Sequence, residues 1–306
     1  MSRSLSEAEA RDAMSLILAG QAEPEQVGAL LVIMRYRKET PEELAGFVRA
    51  SREHLPSFDG LEADIDWPSY ADRHKQLPYF ALAARLLAQA GLRVVMHGLA
   101  GDGTANTRAV LEALGMPCAR SGEQASGALA RDGFAYLEIE AICPPLARLF
   151  DLRPKLGVRT AVNSFARALN PGLAPVQLVG VFHPNYCETH RETARLLGQR
   201  RCAVFKGGGG EAQRNPEKLC RVTRLDDGVA SEEEWPANCP GTRHPWRDEP
   251  LDPDKVAALW SGEWRAPGPE AAVIGTAAIA LKLAGKAASR EQAENLAAQL
   301  WEQRQH

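Results

Sequence analysis

Through its first sixty residues the chain repeats apolar side chains at helical spacing. Ser6 and Glu9 form a capping-box pair ahead of the stripe Ala13, Leu16, Ile17, which stops at Gly20. Pro24 sits where a first helical turn tolerates it, and Val27, Leu30, Leu31 and Met34 follow on one face. Thr40-Pro41-Glu42-Glu43 is a third start: a cap, a proline, then acids at the positive end of the helix dipole. No strand-like alternation interrupts these segments, so they predict a helical bundle.

After Asp66 the pattern changes. A helix ending at Gly91 is followed by the short apolar strand Leu92–Gly98, a helix stopping at Gly115, and a strand around Phe134–Ile139. Another strand at Gln177–Phe182, a helix at His190–Gly198 and a strand at Arg201–Lys206 continue the alternation. Alternating strands and helices predict an α/β domain with a mainly parallel sheet covered by helices. Ligands in such folds sit beyond the C-terminal strand ends, where His97-Gly98 and Lys206-Gly207 both fall. Residues 221–269, acidic and then rich in Pro and Trp, read as a long excursion with short strands, and two helices close the chain.

Composition adds few exclusions. With 306 residues, 45% apolar and 25% charged, the chain suits one large domain or two ordinary ones. A net charge of −3 argues against a uniformly basic surface but permits a basic groove balanced by acids elsewhere. Six scattered cysteines without a C-x-x-C pair suggest reduced, buried thiols. The longest apolar stretch, Ala271–Ala284, is broken by Gly275, Thr276 and Lys282, so the expectation is a cytoplasmic protein with no membrane partner.

Several features carry candidate chemistry, each beside a plainer explanation. The Gly98–Thr107 turn, with Gly101 and Gly103, suits either a ligand loop or a strand-to-helix turn, and His97 either a ligand donor or a structural histidine. Arg148, Arg153, Lys155, Arg159 and Arg167 face one acid, Asp151; Arg191, Arg195, Arg200, Arg201 and Lys206 face Glu192. Such runs line a phosphate-binding groove or form solvated helix faces. Lys206 runs into four glycines, which permit a mobile loop or close approach to a phosphate chain. Arg73, His74 and Lys75 lie among Trp67, Tyr70 and Tyr79, rings that stack on bases or fill a core. His183, Cys187 and His190 lack an evident fourth ligand, so no metal site is expected.

The N-terminal helices, "HG" followed by "TRAVLEALG", "LRPKLGVRTAVNSFARALNPG" and "VIGTAAIALKLAG" resemble anthranilate phosphoribosyltransferase, a glycosyltransferase family 3 fold, from about Leu5 to Lys206 and again near the end. The resemblance implies a helical domain over 1–65 with a returning helical segment near 153–175, and an α/β domain over 66–152 and 176–306. It also implies a homodimer through the helical domains, and matches Arg153 to the arginine that contacts the anthranilate carboxylate. Three departures accompany it. "DIDWPSYADRHKQLPYF" stands where those enzymes carry a G-T-G-G-D diphosphate loop. Leu99-Ala100 replaces Asn-Arg after histidine-glycine, and Glu211 stands alone where an Asp-Glu pair holds magnesium.

The Trp-Pro-Ser-Tyr and Met-His-Gly stretches are similar to a YbiB-like branch of the family, which keeps the fold and binds nucleic acid without known transferase activity. The expectation is therefore a non-catalytic, cofactor-free, sequence-independent binder of single- or double-stranded nucleic acid. Arg153, Lys155, Arg159, Arg200, Arg201 and Lys206 would neutralise phosphates, and His97, Gly98, Gly101, Gly103 and Gly207 would line a vestigial substrate cleft. The alternative is a glycosyltransferase of altered specificity, using magnesium and a phosphorylated sugar donor. A third is a protein-interaction module built on the acidic and Trp-containing excursion.

Overall fold

The computed structural model describes residues 3–71, 76–101, 103 and 106–305. Arg73, His74 and Lys75 lie outside the described residues. Three helices open the chain: α1 (Glu7–Leu18), α2 (Pro24–Arg37) and α3 (Pro41–Glu53). Reciprocal capping boxes close the starts of α1, at Ser6 and Glu9, and of α3, at Thr40 and Glu43. The buried face of α1 is Ala10, Met14 and Leu18, rather than the expected stripe. Leu16 points outward and is 51% exposed. The i, i+4, i+8 row competed with the more apolar Leu16-Ile17 pair and won through its packing on α3.

The α/β part runs β1 (Ile65–Ser69), α4 (Phe80–Gln89), β2 (Val94–Gly98), α5 (Thr107–Ala113), β3 (Cys118–Ala119), α6 (Gly122–Asp132) and β4 (Phe134–Glu138). The short helices α7 (Ile139–Ile142), α8 (Pro144–Phe150), α9 (Leu152–Leu156) and α10 (Val162–Phe165) then turn back to the N-terminal bundle. There Phe165 meets Phe47 of α3, ring centroids 5.4 Å apart. The chain returns through β5 (Val176–Val181), α11 (Cys187–Leu196), β6 (Arg201–Lys206), β7 (Cys220–Asp226) and β8 (Val229–Trp235). It closes with α12 (Pro253–Ser261), α13 (Pro267–Leu283) and α14 (Arg290–Glu302).

The strands form one sheet in the order β3-β4-β2-β1-β5-β6-β7-β8, parallel except for the antiparallel pairs β6–β7 and β7–β8. Successive side chains point to opposite faces, and each face finds its own cover. Ile65, Trp67, Val94, Met96, Phe134 and Tyr136 pack towards α4 and the closing helices. Val95, Ala135 and Leu137 pack towards the N-terminal bundle. Strand β1 lies at the centre, in register with β2 throughout but with β5 only at Ile65 and Asp66. Pro68 therefore falls where β1 has left its β5 partner, so its missing N–H breaks no pairing with β5.

In the excursion, β7 and β8 form a hairpin whose two-residue turn is Asp227-Gly228, both at positive φ (44° and 86°). That is the backbone a type I′ turn demands. No helix among the described residues is long and apolar enough to cross a membrane.

Candidate functional site

Strands β1, β5 and β6 run parallel and end on the same side of the molecule, facing the returning segment Thr160–Arg167. Between them opens a pocket of about 550 Å³. Five arginines reach it from five parts of the chain: Arg35 on α2, Arg153 on α9, Arg159, Arg167 just beyond α10, and Arg247 from the excursion. No carboxylate is among its described lining residues. Thr160, Asn163, Ser164, Arg167 and His190 line its deepest part, all more than nine-tenths buried.

Local bonds set these groups in place. The Arg35 guanidinium donates to Tyr186 Oη at 2.7 Å and lies 5.5 Å from that ring's centroid. Arg167 donates to the Asn163 carbonyl, one turn earlier, and to the Gly210 carbonyl at 3.4 Å. Arg159 donates to the carbonyl of Ala71, the residue that leaves the end of β1. Burial, and then the neighbouring Arg167 charge, push the His190 imidazole down to about 3, so it enters the pocket neutral.

Beyond Phe182 and Arg247 the pocket continues into a wider groove of about 1470 Å³, with which it shares Gln76, Phe182, Gly209 and Arg247. Lys206 and Gly207 line this groove, together with Arg191, Lys218 and Arg221. Its acids include Glu188, Glu217, Glu232 and Asp248. Glu217 is held by the His244 N–H and Trp246 Nε1, at 2.9 and 2.8 Å.

The structure brings some expected residues together and separates others. Arg153 and Arg159 share the pocket, Lys206 lies on the adjoining groove, and Lys155 is exposed on α9 outside both. Arg200 and Arg201 are elsewhere. Arg201 opens β6 and Lys206 closes it, and five steps of extended chain separate them by about 17 Å. Arg200 pairs with Asp227 at 2.7 Å and Arg201 with Asp226 at 3.1 Å. Arg191 and Arg195 both pair with Glu192, the solvated helix-face arrangement.

The expected cleft residues are mostly structural. His97 is fully buried on β2, with Nδ1 2.9 Å from Tyr70 Oη and Nε2 3.1 Å from Asp66 Oδ1, the latter without hydrogen-bond alignment. Asp66 Oδ2 in turn accepts from Gln177 at 2.8 Å. His97 thus belongs to an internal polar chain and does not line the arginine pocket. A Cβ on Gly98 would stand 2.2 Å from the Ser69 carbonyl oxygen, so packing explains that glycine. Gly101, at φ 62°, sits in a turn closed by Asn106, which donates to the Ala100 carbonyl and caps α5. Gly103 is exposed.

Gly207 is also a packing glycine: an added Cβ would meet the Glu211 carbonyl oxygen at 1.7 Å. The glycine run is a tight turn folded on its own continuation rather than an open loop. Trp67, Tyr70 and Tyr79 are buried, Tyr70 stacked on Phe150 and Trp67 on Phe80, which removes them as base-stacking rings.

Glu211 bears on the magnesium alternative. Its Oε1 accepts the Ala71 N–H at 2.7 Å and its Oε2 is buried without a partner. A magnesium ion keeps several waters and near-octahedral oxygen geometry, which one buried and already bonded carboxylate does not supply. The residues present do not fit the ion. Among the described residues no three His, Cys, Asp or Glu side chains are grouped to hold a metal. His183 stands exposed at the pocket rim while Cys187 is buried, its thiol pushed up to about 11 by that burial.

Arg35 and Arg247, the residues that sequence reasoning missed, come from distant segments with no local signal. His190 had been weighed only as a metal ligand. Arg167 stood in a basic run, but nothing in the sequence showed its place at the pocket floor.

Comparison with known proteins fits this architecture. A family described as "Glycosyl transferase family, helical bundle domain" matches residues 2–55, and one described as "Glycosyl transferase family, a/b domain" matches residues 80–303. The anthranilate phosphoribosyltransferase of Rubrobacter xylanophilus is 31% identical over 301 residues, covering 96% of this chain and 88% of its own. That of Oleidesulfovibrio alaskensis is 33% identical over 225 residues, 72% of this chain and 68% of its own. The crystal structure of the Thermus thermophilus anthranilate phosphoribosyltransferase superposes with a TM-score of 0.79 at 28% identity, covering 98% of this chain and 92% of that one. With both its helical and its α/β parts matched, the chain belongs to glycosyl transferase family 3, alongside the anthranilate phosphoribosyltransferases.

Proposed function

We propose that the protein is a nucleic-acid-binding member of this family that grips phosphates in the arginine pocket and along the groove beside it. The observation that carries this reading is the convergence of Arg35, Arg153, Arg159, Arg167 and Arg247 on one pocket. Guanidinium groups present planar forks of donors that suit phosphate oxygens, and clustering them raises the local positive field despite the acidic total. Lys206 extends that field into the groove.

Two acids of β8 are paired with cations and none of them lines the arginine pocket among its described residues. Glu234 pairs with Arg221 at 3.0 Å, and Glu233 with Arg224 and Lys282. A homodimer through the helical domain belongs to the same reading. It is supported by the outward face of α2, where Val32, Ile33 and Tyr36 stand exposed.

Fluorescence anisotropy with a labelled oligonucleotide tests the proposal. Arg35→Ala and Arg247→Ala should each weaken binding for every sequence tried and lower the salt slope by about one. Equal affinity and slope in both variants would remove the pocket from the binding surface.

The family relatives favour one second reading, transfer from a phosphorylated sugar donor. It requires magnesium-dependent binding of phosphoribosyl pyrophosphate, measurable by calorimetry. The Glu211 geometry argues against it.

A further inference from the structure

The pocket is much smaller than the groove and its inner residues are almost fully buried, and both properties bear on the ligand. Ser164, Arg167 and His190 lie at the inner end of the pocket with exposures of 6%, 8% and 4%. The groove beyond Phe182 is more than twice as large. An internal phosphodiester carries one negative charge and continues into a sugar on both sides. It can lie along the groove, but it cannot reach the buried floor of the smaller pocket without drawing a second length of chain in behind it. A terminal phosphate monoester has one ester bond, three free oxygens and close to two charges at neutral pH, its second pKa being about 6.

The pocket's chemistry matches such an end. Arg159 and Arg167 supply charge at depth, while Thr160, Asn163 and Ser164 supply neutral polar groups around it. His190 is neutral and more than nine-tenths buried, a polar group that lines the same space. The N–H of its neutral imidazole is a donor that a phosphate oxygen can accept. At the rim, Phe182 is 47% exposed and Tyr186 carries Arg35 over its ring, so the base next to the phosphate has a surface to stack on.

We infer that the arginine pocket is an end-recognition site: it receives the terminal phosphate of a nucleic-acid strand whose following nucleotides lie in the groove past Phe182 and Arg247. This rests on the nucleic-acid reading above, and the test separates the two.

The experiment compares single-stranded oligonucleotides of one sequence that carry either a phosphate or a hydroxyl at the 5′ end, labelled at the 3′ end, and the reverse set. One phosphorylated end should bind about tenfold tighter than its hydroxyl counterpart, the effect of one added charge-assisted hydrogen bond. Ser164→Leu, which fills the pocket floor, should abolish that preference. Should that variant not fold, the wild-type comparison still decides. Equal, salt-dependent affinity for all four oligonucleotides would overturn the end-recognition site and leave nucleic-acid binding standing. No binding to any of them would overturn both. Thermal stabilisation by inorganic phosphate alone, without an end preference, would assign the pocket to a free anion and overturn the inference.

Discussion

Single residues divide here by whether their job is charge, hydrogen bonding or space. His190 is the sharpest case because its protonation state follows from burial. Held near 3 in the folded protein, it stays neutral, whereas in the unfolded chain it takes a proton near its ordinary 6.5. The unfolded state therefore binds more protons below pH 6.5, and stability falls as pH drops from there towards 3. His190→Gln should flatten this part of the urea-midpoint profile between pH 7 and 4; an unchanged profile would contradict the burial argument. Glycines are the opposite case, defined by space alone. Gly98→Ala would press a methyl onto the Ser69 carbonyl and Tyr136 Oη, 2.2 and 2.6 Å away, and should cost about 2–3 kcal/mol in urea unfolding. Wild-type stability in that variant would mean that the end of β2 yields easily, as a ligand loop would. Sequence reasoning left both uses of this glycine open because the same absence of a side chain serves either one.

Elements were legible where a helical stripe or an apolar run marked them, as in the three opening helices and in β2, β4, β5 and β6. The misses have physical reasons. β1 holds a buried Asp66 that needs Gln177 to satisfy it, and includes Pro68, so neither apolar run nor alternation marked it. The excursion was read with short strands, as β7 and β8 bear out, but their pairing as a hairpin around Asp227-Gly228 was not, because the acidic segment masked that turn. The α2 helix presents a different question. Val27, Leu31 and Met34 face inward, yet Ile33 and Tyr36 on the outer face are 53% and 90% exposed. Exposed apolar groups at neighbouring helical positions suit a second copy of the chain. Sedimentation should show a dimer that Ile33→Glu converts to monomer with its fold intact. A monomeric wild-type protein would remove this role from α2.

At the scale of the whole molecule, the sheet sorts its basic residues by end. Arg153, Arg159 and Lys206 gather near the C-terminal strand ends, while Arg200 and Arg201 are tied to Asp227 and Asp226 at the start of β6. Sequence alone could count these cations but not sort them, since strand direction decides which end each one reaches. Reversing charge at Arg200 and Arg201 together should thus leave oligonucleotide affinity within about twofold at physiological salt, where charges beyond a Debye length are largely screened. A large loss would extend the binding surface to the far end of the sheet. The central claim is that the arginine pocket and groove hold nucleic-acid phosphates. Its most direct test is the anisotropy of a labelled single-stranded oligonucleotide titrated with this protein across a salt series. Binding that is tight at low salt and falls steeply and linearly on logarithmic axes as salt rises is the result the structure predicts. No binding at low salt would contradict it.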